Sequence, residues 1–208
     1  MKILTHAVVL DDHRLFADSF ALLLQRFGAF DAVSSFSKVD EFIDFLRSFG
    51  NQKLYVFLDY YLPETNGLSI LTDIKRLNNQ AKIVFITSAI APAVIRNILR
   101  YKPHGILSKS ADIQDFIMCL EAIERGREYI DPQFEPFVMQ RGERVVTFTP
   151  REIELLKYFS QGNSIAETAA KTFLSPHTIV AHRRKMMAKA NCHTIAEMLT
   201  YAQKNHLI

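Results

Sequence analysis

The chain has 208 residues, 49% of them apolar and 23% charged, with a net charge of +3. That length suits two domains, and the apolar fraction is a globular one that leaves little room for extended disorder. No run reaches the ~18 consecutive apolar residues of a membrane-spanning helix, so no membrane partner is expected.

The first 125 residues alternate between short apolar runs and longer segments of helical period. His6–Leu10 is a continuous apolar run ended by Asp11 and Asp12, as in a parallel strand buried on both faces. Arg14 to Phe27 carries apolar residues at helical spacing and stops at Gly28, while residues 32–36 read as a short strand. Ser37 is expected to open a second helix with Val39, Phe42, Ile43, Leu46 and Phe49 on one face. Residues 54–58 form the next buried strand, ending at Asp59, and a Pro63 to Gly67 loop leads into a helix over 67–77. Residues 83–86 are a strand ending at Thr87, residues 91–101 a helix, residues 105–108 a strand ending before Lys109, and 112–125 a helix. Five βα units in this order predict a five-stranded, doubly wound parallel sheet in an α/β domain over residues 1–126.

Periodicity is lost over 127–146, where Pro132 and Pro136 interrupt any helix, so this stretch reads as a linker. Phe134, Phe137, Val138 and Met139 make it too apolar for a free tether. Residues 147–208 read as a small all-α domain of four helices. Thr149-Pro-Arg-Glu152, Ser164-Ile-Ala-Glu167 and Thr194-Ile-Ala-Glu197 are capping boxes, and Ser175-Pro176 is a serine cap before proline. These place helix starts near 150, 165, 176 and 195. A turn of two or three residues near Phe173-Leu174 joins the second helix to a basic third one, the layout of a helix-turn-helix.

Charge follows the same division. Residues 1–130 hold 15 basic and 15 acidic side chains, whereas residues 141–208 hold 10 and 5. A basic last third is where a nucleic-acid surface is expected, although a solvated surface produces the same count. Cys119 and Cys192 stand alone, outside any metal-spaced cluster, and the first residues show no signal-peptide pattern. Both features suit a reducing cytoplasm.

Open parallel sheets bind ligands outside the carboxyl ends of their strands. Asp11, Asp12, Asp59, Thr87 and Lys109 all fall at such ends and should converge. Three carboxylates together repel unless a hard divalent cation joins them, and Mg2+ takes oxygen ligands of this kind while also meeting phosphate. A carboxylate can act as the nucleophile in phosphoryl transfer. A lysine and a hydroxyl then stabilise the charge on the equatorial oxygens. Any one of these aspartates alone is a weak signal, since an aspartate after a strand is more commonly a helix or turn cap.

In order, spacing and strand context these residues resemble the receiver domain of two-component response regulators, over almost all of residues 5–125. The resemblance implies a flavodoxin-like fold, Asp59 as phosphoacceptor and a sensor histidine kinase as donor. It also implies Mg2+ on Asp12, Asp59 and the backbone carbonyl of Tyr61, with Asp11 acting through water. Three positions depart from the pattern: Ile106 replaces the switch aromatic, Ser110 follows Lys109 where proline is frequent, and Tyr61 is bulky. Ile106 puts the usual aromatic relay in question, and Tyr61 suggests restricted access of water to a phosphoryl group.

On the third C-terminal helix, Ile179, Met186 and Ala190 share one stripe, with His182 beside them. His177, Val180, Ala181 and Arg184 share the opposite stripe, with Arg183, Lys185 and Lys189 on its flanks. Arginine engages guanine or phosphate bidentately, and small apolar side chains meet thymine methyls. A solvated basic helix face would look the same in sequence. Residues 145–205 resemble the LuxR/FixJ-type (NarL-type) DNA-binding domain through Thr149-Pro-Arg-Glu152, Leu155-Leu156, Gly162, Glu167, Ala169, Ser175, Thr178, His182 and Lys189. Ile165-Ala166, Thr168 and Ile179 depart from it. The resemblance implies a homodimer on paired DNA half-sites, with Ala196, Met198, Leu199 and Ala202 of the last helix contributing to the subunit contact.

The reading is a phosphorylation-controlled transcription factor rather than an enzyme. The alternative is a receiver that dimerises constitutively without phosphorylation, which Ile106 favours and the complete acidic set opposes. A phosphatase would want an acid two residues after the nucleophile, where Tyr61 stands. An autoinducer-binding regulator would lack the acidic pocket.

Overall fold

The buried apolar runs of the first half become the parallel strands of one sheet. The computed structural model describes residues 3–63, 65–88, 91–139 and 146–208. Its first elements are β1 (Ile3–Leu10), α1 (Arg14–Phe27), β2 (Phe30–Phe36), α2 (Val39–Phe49), β3 (Leu54–Leu58) and α3 (Gly67–Leu77). There follow β4 (Ala81–Thr87), α4 (Pro92–Leu99), β5 (Gly105–Ser108), α5 (Ile113–Glu124) and β6 (Tyr129–Ile130). A single 3-10 turn, Pro132–Phe134, and α6 (Glu135–Met139) complete this part.

The strand order is β2-β1-β3-β4-β5-β6, and every pairing is parallel. Five strands were expected from the sequence; the described residues form six. β6 has only two residues, too few for a periodic pattern, and lies in the stretch read as linker. Asp131 anchors it: its carboxylate is buried and accepts the Ser108 N–H at 3.0 Å, while its own N–H donates to the Ile106 carbonyl at 2.9 Å. Phe134, next along, is buried, which explains the apolar composition there. Residues 140–145 of the expected linker, like Met1 and Lys2, lie outside the described residues.

One face of the sheet is covered by α1 and α5. Ala7, Val9, Tyr55, Phe57, Val84, Ile86 and Leu107 form a single core with Ala17, Ala21 and Leu24 of α1 and Phe116, Cys119, Leu120 and Ile123 of α5. Because side chains alternate along strands, Val8, Leu10, Val56, Leu58, Ile83 and Phe85, equally buried, belong to the opposite face. α2 and α3 pack against each other. The N-terminus of α2 differs from expectation: Lys38 is the capping residue, with no side-chain cap, and Ser37 lies one position further out.

The last part is all helical: α7 (Pro150–Ser160), α8 (Ile165–Thr172), α9 (Pro176–Lys189) and α10 (Ile195–Lys204). Each starts where its cap predicted. The side chains of Thr149, Ser164, Ser175 and Thr194 all accept a backbone N–H of the following turn. Phe148, Ile153, Leu155, Leu156, Ile179, Met186, Met198 and Ala202 are buried in this domain. Met198 and Ala202 therefore serve its core, and only Ala196 and Leu199 of the apolar set proposed for subunit contact retain exposure. The chain divides into two units, residues 1–88 with 98–136, and residues 89–97 with 137–208.

Candidate functional site

The strand ends bring the first site together through backbone bonds that continue the ladder beyond the sheet. The Asp11 N–H donates to the Phe36 carbonyl, the Asp59 N–H to the Leu10 carbonyl and the Lys109 N–H to the Thr87 carbonyl, at 2.9–3.2 Å. Asp11, Asp59, Thr87 and Lys109 thus stand in one row at the carboxyl edge, where β1 and β3 are neighbours although not consecutive.

Lys109 Nζ lies 2.6 Å from Asp11 Oδ2 and 2.8 Å from Asp59 Oδ2. Both carboxylates are buried. Burial raises the Asp59 pKa to about 6; the lysine opposes this shift, and the charge of Asp11 adds to it. Two buried aspartates around one ammonium leave net negative charge out of water, an arrangement that welcomes a cation. Asp59 Oδ1 is buried without a hydrogen-bond partner. Asp12 Oδ1, also without one, lies 3.0 Å from His13 Nδ1 but outside hydrogen-bond alignment. Asp11, Asp12, His13 and Asp59 offer donor atoms all within 4.8 Å of one another. This oxygen-rich set, with two unsatisfied oxygens, fits a small divalent ion such as Mg2+.

His13 was missed in the sequence. Its backbone N–H bonds Asp11 Oδ1 at 2.9 Å and its ring, mostly solvent-exposed, sits beside both aspartates. Its position directly after Asp11-Asp12 was the available signal.

Gly67 lets the loop after Asp59 close. A Cβ there would collide with the Asp59 carbonyl oxygen and lie 2.7 Å from Phe85 Cε1. The Gly67 N–H donates to the Tyr60 carbonyl at 2.9 Å, and Asn66, buried, caps α3. Tyr61 bridges to Asn66 across this loop and packs edge-on to Tyr60, ring centroids 5.0 Å apart. Burial and the Asp59 charge push its hydroxyl up to about 12. Thr87 is fully buried at the end of β4. Ile106 is also fully buried, in register between Phe85 and Ile130.

The second site is the outer face of α9. His177, Val180, Ala181, Arg184 and Lys185 line one shallow depression with Ala188, and the five are exposed. Arg183 is half-buried on the flank. Ile179 and Met186 are buried on the inner face, as their spacing required. Lys189 stands apart from the other basic residues: its ammonium contacts both Glu152 carboxylate oxygens, at 2.8 and 2.6 Å, and lies 5.8 Å from the Phe148 ring centroid. Sequence spacing put Lys189 on the flank of the basic face; the buried Glu152 draws it inward.

Among the described residues no helix is long and apolar enough to cross a membrane. The family described as "Response regulator receiver domain" matches residues 7–121, and "Bacterial regulatory proteins, luxR family" matches residues 146–202. The chain is 26% identical over 206 residues to the Fimbriae Z protein of Salmonella typhimurium, covering 97% of each. It is 25% identical over 214 residues to the oxygen regulatory protein NreC of Staphylococcus carnosus, covering 97% of this chain and 98% of that one. In fold it is similar to RcsB of Salmonella enterica serovar Typhimurium, solved bound to promoter rprA with phosphomimetic BeF3-. The TM-score is 0.72 at 20% identity, over 96% of this chain and 98% of that chain. The acidic row at the sheet edge and the capped helix-turn-helix therefore have a common explanation: this chain belongs to the response regulators, with a receiver domain followed by a LuxR-type helix-turn-helix.

Proposed function

We propose that Asp59 accepts a phosphoryl group from the phosphohistidine of a sensor histidine kinase, and that the phosphorylated chain binds DNA as a homodimer through α9. The observation that carries the first step is the state of the Asp59 carboxylate: Oδ2 is held by Lys109, while no side chain claims the buried Oδ1 and no hydrogen bond of ordinary geometry reaches it. In the transfer, Asp59 Oδ1 forms the new O–P bond, the donor's N–P bond breaks, and its electron pair leaves with the imidazole nitrogen. Asp11, Asp12 and Asp59, with the Tyr61 carbonyl, would hold Mg2+, which supplies positive charge against the phosphoryl oxygens. Lys109 places a second positive charge on the same group. The Thr87 hydroxyl is assigned to one phosphoryl oxygen.

For DNA, Arg184 is assigned to a base edge or phosphate, Val180 and Ala181 to thymine methyls, and His177, Arg183 and Lys185 to the groove flanks. Lys189 is left out of this set because Glu152 already holds its charge. The solved RcsB dimers on DNA, at 21% identity, supply the precedent for pairing. The receiver is read as regulating a cytoplasmic transcription factor rather than as an enzyme of metabolism. The complete acidic row argues against a phosphorylation-independent dimerisation module.

The test is incubation with acetyl phosphate and Mg2+, followed by phosphate-affinity electrophoresis, sedimentation and DNA binding, for wild type and Asp59→Asn. A retarded band, self-association and tighter DNA binding in wild type alone are expected. Identical behaviour of the two proteins would reject the phospho-switch.

A further inference from the structure

Phe173 is the most exposed large apolar side chain among the described residues, at 96%. It also occupies the left-handed backbone region, φ 54° and ψ 35°, as the C-cap of α8. The turn demands this geometry: the Leu174 N–H reaches back to the Ala169 carbonyl at 3.0 Å, and the Phe173 N–H bonds the end of the same helix. Helices that end this way ordinarily use glycine, because a Cβ is strained at positive φ. A bulky side chain here carries that strain and recovers nothing by burial. An exposed apolar residue is ordinary, and so is a left-handed cap; a fully exposed aromatic at a left-handed cap is neither.

The position of the turn indicates what the ring meets. Ser175, two residues on, caps α9, and the exposed His177 begins the stripe that continues through Val180, Ala181, Arg184 and Lys185. Lys171, also exposed, precedes the turn. In a helix-turn-helix the N-terminal residues of the second helix contact base edges, so the turn feeding that helix lies at the groove wall. The ring is an exposed apolar projection in the turn that leads directly into that basic helix, a place that suits the alternation of sugar and phosphate along a duplex.

We infer that Phe173 lays its ring against the deoxyribose wall of the groove entered by α9, adding a sequence-independent apolar contact to duplex DNA. This rests on the DNA-binding reading of α9. Such a contact displaces no counterion, so it changes affinity without changing the salt dependence.

The experiment uses the full chain with BeF3- and Mg2+, a random-sequence duplex pool and fluorescence anisotropy across a salt series. Wild type, Phe173→Gly, Phe173→Tyr and Arg184→Ala are compared, with thermal melting of each. Phe173→Gly is expected to melt at or above the wild-type temperature, because glycine relieves the strain, yet to bind about three- to tenfold more weakly with an unchanged salt slope. Phe173→Tyr should keep wild-type affinity. Wild-type affinity in Phe173→Gly, or a loss accompanied by a changed salt slope, overturns the inference. So does a loss traced by sedimentation to weaker self-association, which would make the ring's partner a second copy of this chain. If Arg184→Ala weakens binding while Phe173→Gly does not, the DNA reading stands and the Phe173 contact alone fails. If wild type binds no duplex, both fail.

Discussion

Lys189, at the end of α9, lies 2.6 Å from Oε2 of Glu152, in the first turn of α7, and Glu152 is 1% exposed. The same carboxylate accepts the Thr149 N–H at 2.7 Å, completing the capping box. One buried acid therefore fixes both the start of α7 and the end of the basic helix. Lys189→Met should lower the stability of the C-terminal domain by about 3 kcal/mol or more, because it removes the counter-charge of a buried carboxylate. It should leave the salt slope of DNA binding unchanged, whereas Arg184→Ala should reduce that slope by about 1 if it meets a phosphate. Denaturant titration and salt-dependent binding read the two effects separately.

The same pair sets a pH dependence. Burial raises the Glu152 pKa, but Lys189 and the Thr149 amide outweigh it, and the net shift is downward. A carboxylate depressed on folding contributes stability that is present above its unfolded value and is lost as pH falls through the folded one. The stability gap between wild type and Glu152→Gln is therefore expected to be widest near neutral pH. It should narrow as the pH drops below about 4.5, the ordinary glutamate range. A gap independent of pH would show that the pair contributes through packing alone.

Gly67 packs its backbone against the Asp59 carbonyl and the Phe85 ring, so Gly67→Ala must move one of them. Overpacking of this kind costs about 1–3 kcal/mol. Because the clash falls on the acceptor's own peptide, the rate of modification by acetyl phosphate should fall as well. Thermal melting and phosphate-affinity gels measure the two; a mutant that loses stability but is modified at the wild-type rate would separate the loop from the pocket.

Tyr61 is half-buried and feels the Asp59 charge, so its bulk is expected to restrict the water that reaches a phosphorylated Asp59. Tyr61→Asn should shorten the lifetime of the acyl phosphate, read as decay of the retarded band after removal of the donor. An unchanged decay rate would remove Tyr61 from that role.

The sequence on its own located nearly every helix and the acidic row, because those depend on local chemistry. Thr149, Ser164, Ser175 and Thr194 cap through their own side chains, and Asp11, Asp59, Thr87 and Lys109 end buried strands whose direction is fixed by the parallel sheet. Longer-range partners stayed hidden. β6 has two residues and is held by the Asp131 carboxylate on Ser108, 23 positions away, a bond no periodicity announces. Lys189 looked like one more basic residue on a helix flank until the fold brought Glu152, 37 positions earlier, within 2.6 Å. His13 joined the carboxylates only when the turn after β1 placed its ring beside them. Local pattern determined which groups stand at the strand ends and which face of α9 is basic. Tertiary structure decided which of those charges are already spoken for, because a charge's role depends on the partner that shares its burial.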